Sequence, residues 1–101
     1  MRALERANMV RLARAELKRA IARGDRDAAE VVSSCPWETE SMTIAELLTS
    51  QRRWGRTRAR KFLMPLALNE NKQLGTLTER QRRLLAQELV TRSADRDAVA
   101  V

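Results

Sequence analysis

Residues 42–60 read Met42-Thr43-Ile44-Ala45-Glu46-Leu47-Leu48-Thr49-Ser50-Gln51-Arg52-Arg53-Trp54-Gly55-Arg56-Thr57-Arg58-Ala59-Arg60, and the fold turns on how they are divided. Thr43 and Glu46 stand at capping-box spacing, with Met42 just outside and Leu47 just inside at the spacing of a hydrophobic staple. A short helix must start there. Ile44, Leu47 and Leu48 bury it, and Thr49 to Gly55 shows no apolar periodicity, so it is expected to end near Ser50 or Gln51. Gln51 to Arg56 is then a tight turn. A further helix opens at Arg56 or Thr57, with Ala59, Phe62, Leu63 and Leu66 facing inward.

Working outward, Pro65 removes a backbone donor and clashes with the preceding turn, so a kink or a stop is expected within a residue or two. Asn69 to Gly75 reads as connection. Thr78 and Gln81 form another capping box and open a last helix with Leu84, Leu85 and Leu89 inside, expected to fray after Val90. Upstream, Leu4, Val10, Ala13, Leu17, Ala20 and Ile21 recur at helical steps between Ala3 and Arg23, and Gly24 is the natural left-handed stop. Asp25 or Asp27 can cap a second helix, Asp27 standing at capping-box spacing from Glu30, and the helix is expected to end near Ser33 and Ser34. Cys35 to Ser41 is a loop in which Trp37 is expected to plug the core. No segment alternates with the period of a strand. The expectation is an all-α chain: one helical domain over 1–92, with its N-terminal helix at about 3–23 and a core at about 42–90, then a flexible tail over 93–101.

Composition narrows the function. The chain has 101 residues, too few for two domains or a large catalytic cleft. A single Cys rules out an internal disulfide framework, and no His is present for proton transfer. Cys35 therefore reads as a buried or half-buried thiol, and no metal-ligand spacing, P-loop or dinucleotide fingerprint occurs. A non-enzymatic protein without cofactor or metal is expected. No apolar run approaches the ~18 residues of a membrane span, and the N-terminal stretch is charged and amphipathic rather than a signal peptide, so a cytoplasmic setting is expected.

The formal net charge of +7 is arranged in blocks. Residues 1–24 and 51–83 are basic, 25–50 are acidic, and the rest are near neutral. Most cations of the basic blocks are Arg, whose planar fork grips phosphate through two donors. Over residues 1–24, Glu5 and Glu16 interleave with Arg, which fits a salt-bridged exposed helix as well as a binding face. Over 51–83 the excess is concentrated at two helix openings, and nucleic acid is the favoured partner. Arg52, Arg53, Gly55, Arg56 and Arg58 form the first candidate cradle. There a glycine lets a strand approach and the helix N-terminus favours an anion, although Gly55 could equally serve a left-handed turn. Lys72, Gln73, Arg80, Arg82 and Arg83 form the second. Such groups hold a duplex backbone without reading bases. Trp54 could wedge into DNA, but aromatic content is 3%, and packing between the turn and its helices is the favoured reading.

Met42 to Leu48, Trp54 to Arg60, Leu77 and Gln81 to Leu89, together with Arg14-Ala15-Glu16-Leu17-Lys18, resemble the actinobacterial integration host factor, the small nucleoid-associated protein of mycobacteria and streptomycetes. The resemblance covers most of the chain, least well over 32–41, and its motifs are degenerate. It implies a long N-terminal helix packed on a helix-two-turn-helix module that grips DNA phosphates, bends or compacts DNA and assists a phage integrase in site-specific recombination. On that basis the partner is double-stranded DNA, the location the nucleoid and the protein a monomer. Gly55 keeps the family's first-turn glycine, Arg56 replaces its lysine, and Arg58 is retained. The family's proline is lost at Arg52, and Arg53 replaces a glycine or lysine. At the second turn an Arg-rich pattern becomes Lys72-Gln73-Leu74-Gly75, in which only Lys72 keeps the charge. An RNA- or ribosome-associated binder and a helical protein-interaction adaptor are the competing readings.

Overall fold

In the computed structural model the described residues are 2–100, with side chains placed over 3–92. They form five α-helices: α1 (Arg2–Arg23), α2 (Ala28–Ser34), α3 (Ile44–Ser50), α4 (Arg56–Leu63) and α5 (Glu79–Ala100). The protein is all-α; among the described residues its extended pairing is a lone antiparallel bridge between Thr43 and Gln73.

The helix ends follow the local chemistry. Gly24 takes φ +86° and donates to Ile21 O while Asp25 donates to Ala20 O, the pair of bonds of a Schellman stop. Asp27 accepts from Ala29 N, and Thr43 Oγ1 accepts from Glu46 N at 3.1 Å. At α5 the capping box is complete, Thr78 and Gln81 each donating a backbone N–H to the other's side chain. Pro65 ends α4 at Leu63, and a 3₁₀ turn over Met64–Leu66 follows. The last helix runs on to Ala100 instead of fraying after Val90, since neither Gly nor Pro follows to stop it.

The core gathers Leu17 and Ile21 of α1, Val31 and Val32 of α2, Ile44, Leu47 and Leu48 of α3, Phe62 and Leu63 of α4, and Leu85 and Leu89 of α5. Three expectations fail here. Leu4 is 68% exposed, because the first half of α1 overhangs the core that its second half packs against. Leu84 is 40% exposed, since the inward stripe of α5 runs through Leu85 and Leu89 instead. Trp37 is not a plug; it is 52% exposed, and Thr39, two residues on, fills the space with its hydroxyl donating to Pro36 O at 2.7 Å.

The connection between α4 and α5 is laid against the entry to α3. Ile44 N donates to Lys72 O and Ala45 N to Glu70 O, each at 2.9 Å, while Leu74 N and Gly75 N donate to Met42 O and Glu40 O. A Cβ on Gly75 would lie 2.8 Å from Glu40 O, a backbone atom that cannot swing aside. Gly75→Ala is therefore expected to lower stability by roughly 2 kcal/mol, measured by urea denaturation. An unchanged midpoint would mean that the two strands of this connection part easily.

Candidate nucleic-acid interface

Four helix N-termini follow a non-helical segment, and they differ in what satisfies their first amides. At α2 the Asp27 carboxylate does so, at α3 Thr43 and the carbonyls of Glu70 and Lys72, and at α5 the Thr78–Gln81 box. At α4 the N-cap is Gly55, which has no side chain to accept a bond. Among the described residues no group accepts from the amides of Arg56, Thr57 and Arg58. Those three donors and the positive end of the helix point out of the protein.

The turn leading to them is built from Gln51 to Trp54, closed by Trp54 N donating to Gln51 O at 3.1 Å. Its left-handed residue is Arg53, with φ +70°, and not Gly55, whose backbone is extended. Gly55 therefore leaves the N-cap bare and the surface clear, and a Cβ there would meet nothing within 4 Å. Holding an Arg in the left-handed region costs about 1 kcal/mol. Arg53→Gly is expected to raise stability by roughly 0.5–1 kcal/mol in thermal melts while removing one cation from the turn. A fall in stability would show that the Arg53 side chain holds the turn.

Arg52, Arg53, Arg56 and Arg58 are exposed. Among the described residues none of them pairs with a carboxylate, whereas Arg60 donates its Nε to both Glu70 oxygens at 3.1 Å. Trp54 is buried at 7% exposure, meets Phe62 edge-on at 5.3 Å between centroids and carries the Arg58 guanidinium 4.5 Å above its ring. The indole is thus a packing residue that also fixes an arginine.

The second candidate cluster is less open. Arg80 is exposed and Lys72 half-buried, and neither meets a carboxylate among the described residues; Gln73 is exposed beside them. Arg83 is drawn to Glu79 at 3.1 Å. Arg82 stands apart from the rest of the cluster: half-buried, it donates to Val32 O at 3.0 Å and Leu74 O at 2.8 Å, and so ties α2 to the α4–α5 connection. Since the α5 amides are capped and Glu79 sits in the first turn, the two clusters are unequal, and the α3–α4 turn is the more open.

Four cations of the N-terminal basic block are paired, mostly with carboxylates of the acidic block, while Arg6 and Arg11 meet none among the described residues. Arg14 and Lys18 reach Glu46 at 3.5 and 3.3 Å, Arg19 reaches Glu16 at 2.9 Å, and Arg23 reaches Asp25 at 2.9 Å. The Arg19 hydrogen bond, reinforced by its charge, holds the Glu16 carboxyl below its ordinary value. Of the two readings left open by the sequence, the salt-bridged helix face is the one this pairing fits.

Two further cations escaped the sequence reading. Lys61 lies on α4, and Arg92 on α5 brings its guanidinium carbon within 5.8 Å of the Phe62 ring centroid. The spacing of Arg92 after Leu85 and Leu89 places it on the inward stripe of α5, a signal hidden by assigning the region to a fraying end.

No group of His, Cys, Asp or Glu that could hold a metal occurs among the described residues, and no helix is long and apolar enough to cross a membrane. No family model matches the chain, and no curated protein matches it. One solved structure is similar: sIHF, an integration host factor, bound to an 8-bp palindromic DNA. It shares 25% sequence identity with this chain at a TM-score of 0.73, over 84% of this chain and 98% of sIHF.

Proposed function

We propose that this protein binds double-stranded DNA in the manner of an integration host factor of the actinobacterial type, through phosphate contacts that take little account of base sequence. The observation that carries this reading is the uncapped N-terminus of α4, its amides and the unpaired Arg52, Arg53, Arg56 and Arg58 facing outward together. Amides at a helix start and guanidinium forks are complementary to phosphate oxygens. The likeness to sIHF bound to DNA supports the same partner. The α3–α4 turn and the α4–α5 connection act as the two turns of a helix-two-turn-helix module, with Arg80 and Lys72 as flanking contacts. The protein bends or compacts the duplex within the nucleoid, acts as a monomer without catalysis, and can serve a phage integrase as accessory factor.

The test is a gel-shift series on one duplex and its scrambled counterpart across salt, with structured RNA as competitor and circularised DNA to read bending. Equal affinity for both duplexes is expected, with a log–log salt slope of about −4 to −5, since each phosphate contact contributes about 0.9. Preference for RNA, or binding that persists in high salt, overturns the reading.

A further inference from the structure

Trp54, Thr57, Arg58, Lys61, Phe62 and Arg92 line an open groove of 560 Å³ between α4 and α5, beginning at Gly55. Its cations come from two helices, and among the described residues no acidic one lines it. Two of them lie against rings that are themselves in contact: the Arg58 guanidinium carbon is 4.5 Å from the Trp54 centroid and that of Arg92 is 5.8 Å from the Phe62 centroid. A ring face attracts a guanidinium without using its N–H donors. That sets this pair apart from Arg14, Arg60, Arg82 and Arg83, each of which donates to a protein oxygen.

We infer that this groove is a phosphate subsite continuing the cradle of the α3–α4 turn, and that Arg92 is a DNA-contacting residue on α5. The inference rests on the DNA reading above. The contact of the two rings, with a guanidinium on each, keeps Arg58 and Arg92 within reach of phosphates a few nucleotides apart on one strand. A strand that enters at the Gly55 end would leave across α5, which ties the last helix to the interface and lengthens the track beyond a single turn.

The experiment measures duplex affinity across salt for the wild type, Arg92→Gln, Arg92→Lys and Arg56→Glu/Arg58→Glu, each first checked by circular dichroism melting. Arg92→Gln keeps a polar side chain beside Phe62 while removing the charge and the guanidinium fork. It is expected to bind about five- to tenfold more weakly at ~0.1 M salt, with the slope shallower by about 0.9. Arg92→Lys is expected to keep the wild-type slope. Unchanged affinity and slope for Arg92→Gln, beside a large loss in the double variant, overturns the subsite and leaves DNA binding standing. Failure of the wild type to bind DNA overturns both. A parallel titration uses a nucleoside triphosphate without DNA: tight binding abolished by Arg92→Gln, with duplex affinity intact, would assign the groove to a free phosphate ligand and overturn the strand path.

Discussion

Arg56→Glu/Arg58→Glu is expected to weaken binding to every duplex alike, by roughly 50- to 100-fold or more near 0.1 M salt, and to make the salt slope shallower by about two. The size follows from position. Both side chains stand on the first turn of α4, where the bare N-cap leaves three amides facing outward, so a carboxylate there repels the strand and competes for the same donors. Uniformity across sequences follows from chemistry, since phosphates are identical on every duplex. Arg58 also covers the Trp54 ring, and Arg58→Ala alone should cost more affinity than Arg56→Ala because it removes a pre-oriented guanidinium. If the double variant binds as the wild type does, the α3–α4 turn is not the cradle; if it fails on one sequence only, base reading is involved.

The helices were legible wherever a side chain announces its own end. Thr43, Asp27, Gly24, Pro65 and the Thr78–Gln81 pair act on neighbours within a few residues, so their effects are written locally and appear where expected. What was not legible depends on partners distant in sequence. Leu4 carries the periodicity of a core residue, yet nothing in its neighbourhood reveals that α1 outruns the core. Trp37 and Thr39 are two residues apart, and only the packed shape decides which is buried. Glu46 illustrates the same limit. The capping box was read from its spacing, but its carboxylate turns to Arg14 and Lys18 on α1, an interaction no local window contains.

The same distinction governs the site. The openness of the first cluster was legible because glycine at an N-cap and arginines around it lie in one short stretch. That of the second was not, because a run of cations does not show which way each one points. Arg80, Arg82 and Arg83 are near neighbours, yet one is open, one binds carbonyls and one meets Glu79. Arg92 was missed for the converse reason: the Phe62 ring beside it lies on another helix.

Arg82→Ala should therefore be a stability variant, lowering unfolding free energy by about 3 kcal/mol and the Tm by roughly 12 °C or more, with the salt slope of DNA binding unchanged for the folded protein. The reason lies in Pro36. Within a continuing helix the carbonyl of Val32 would accept from the residue four positions on, but that residue is proline and has no N–H to give. Arg82 Nη1 supplies the missing donor at 3.0 Å, at the negative end of α2, while Nη2 reaches Leu74 O at 2.8 Å. Hydrogen bonds from a charged group contribute about 1.5–3 kcal/mol each, and alanine would leave Val32 O deprived of its partner. Lysine offers a shorter side chain and a single ammonium in place of the fork that meets the two carbonyls with separate nitrogens, so Arg82→Lys should recover less than half of the loss. Thermal melts followed by salt-titrated gel shifts separate the alternatives. A near-normal Tm with a slope shallower by one would return Arg82 to the DNA interface and show that its carbonyl contacts are incidental.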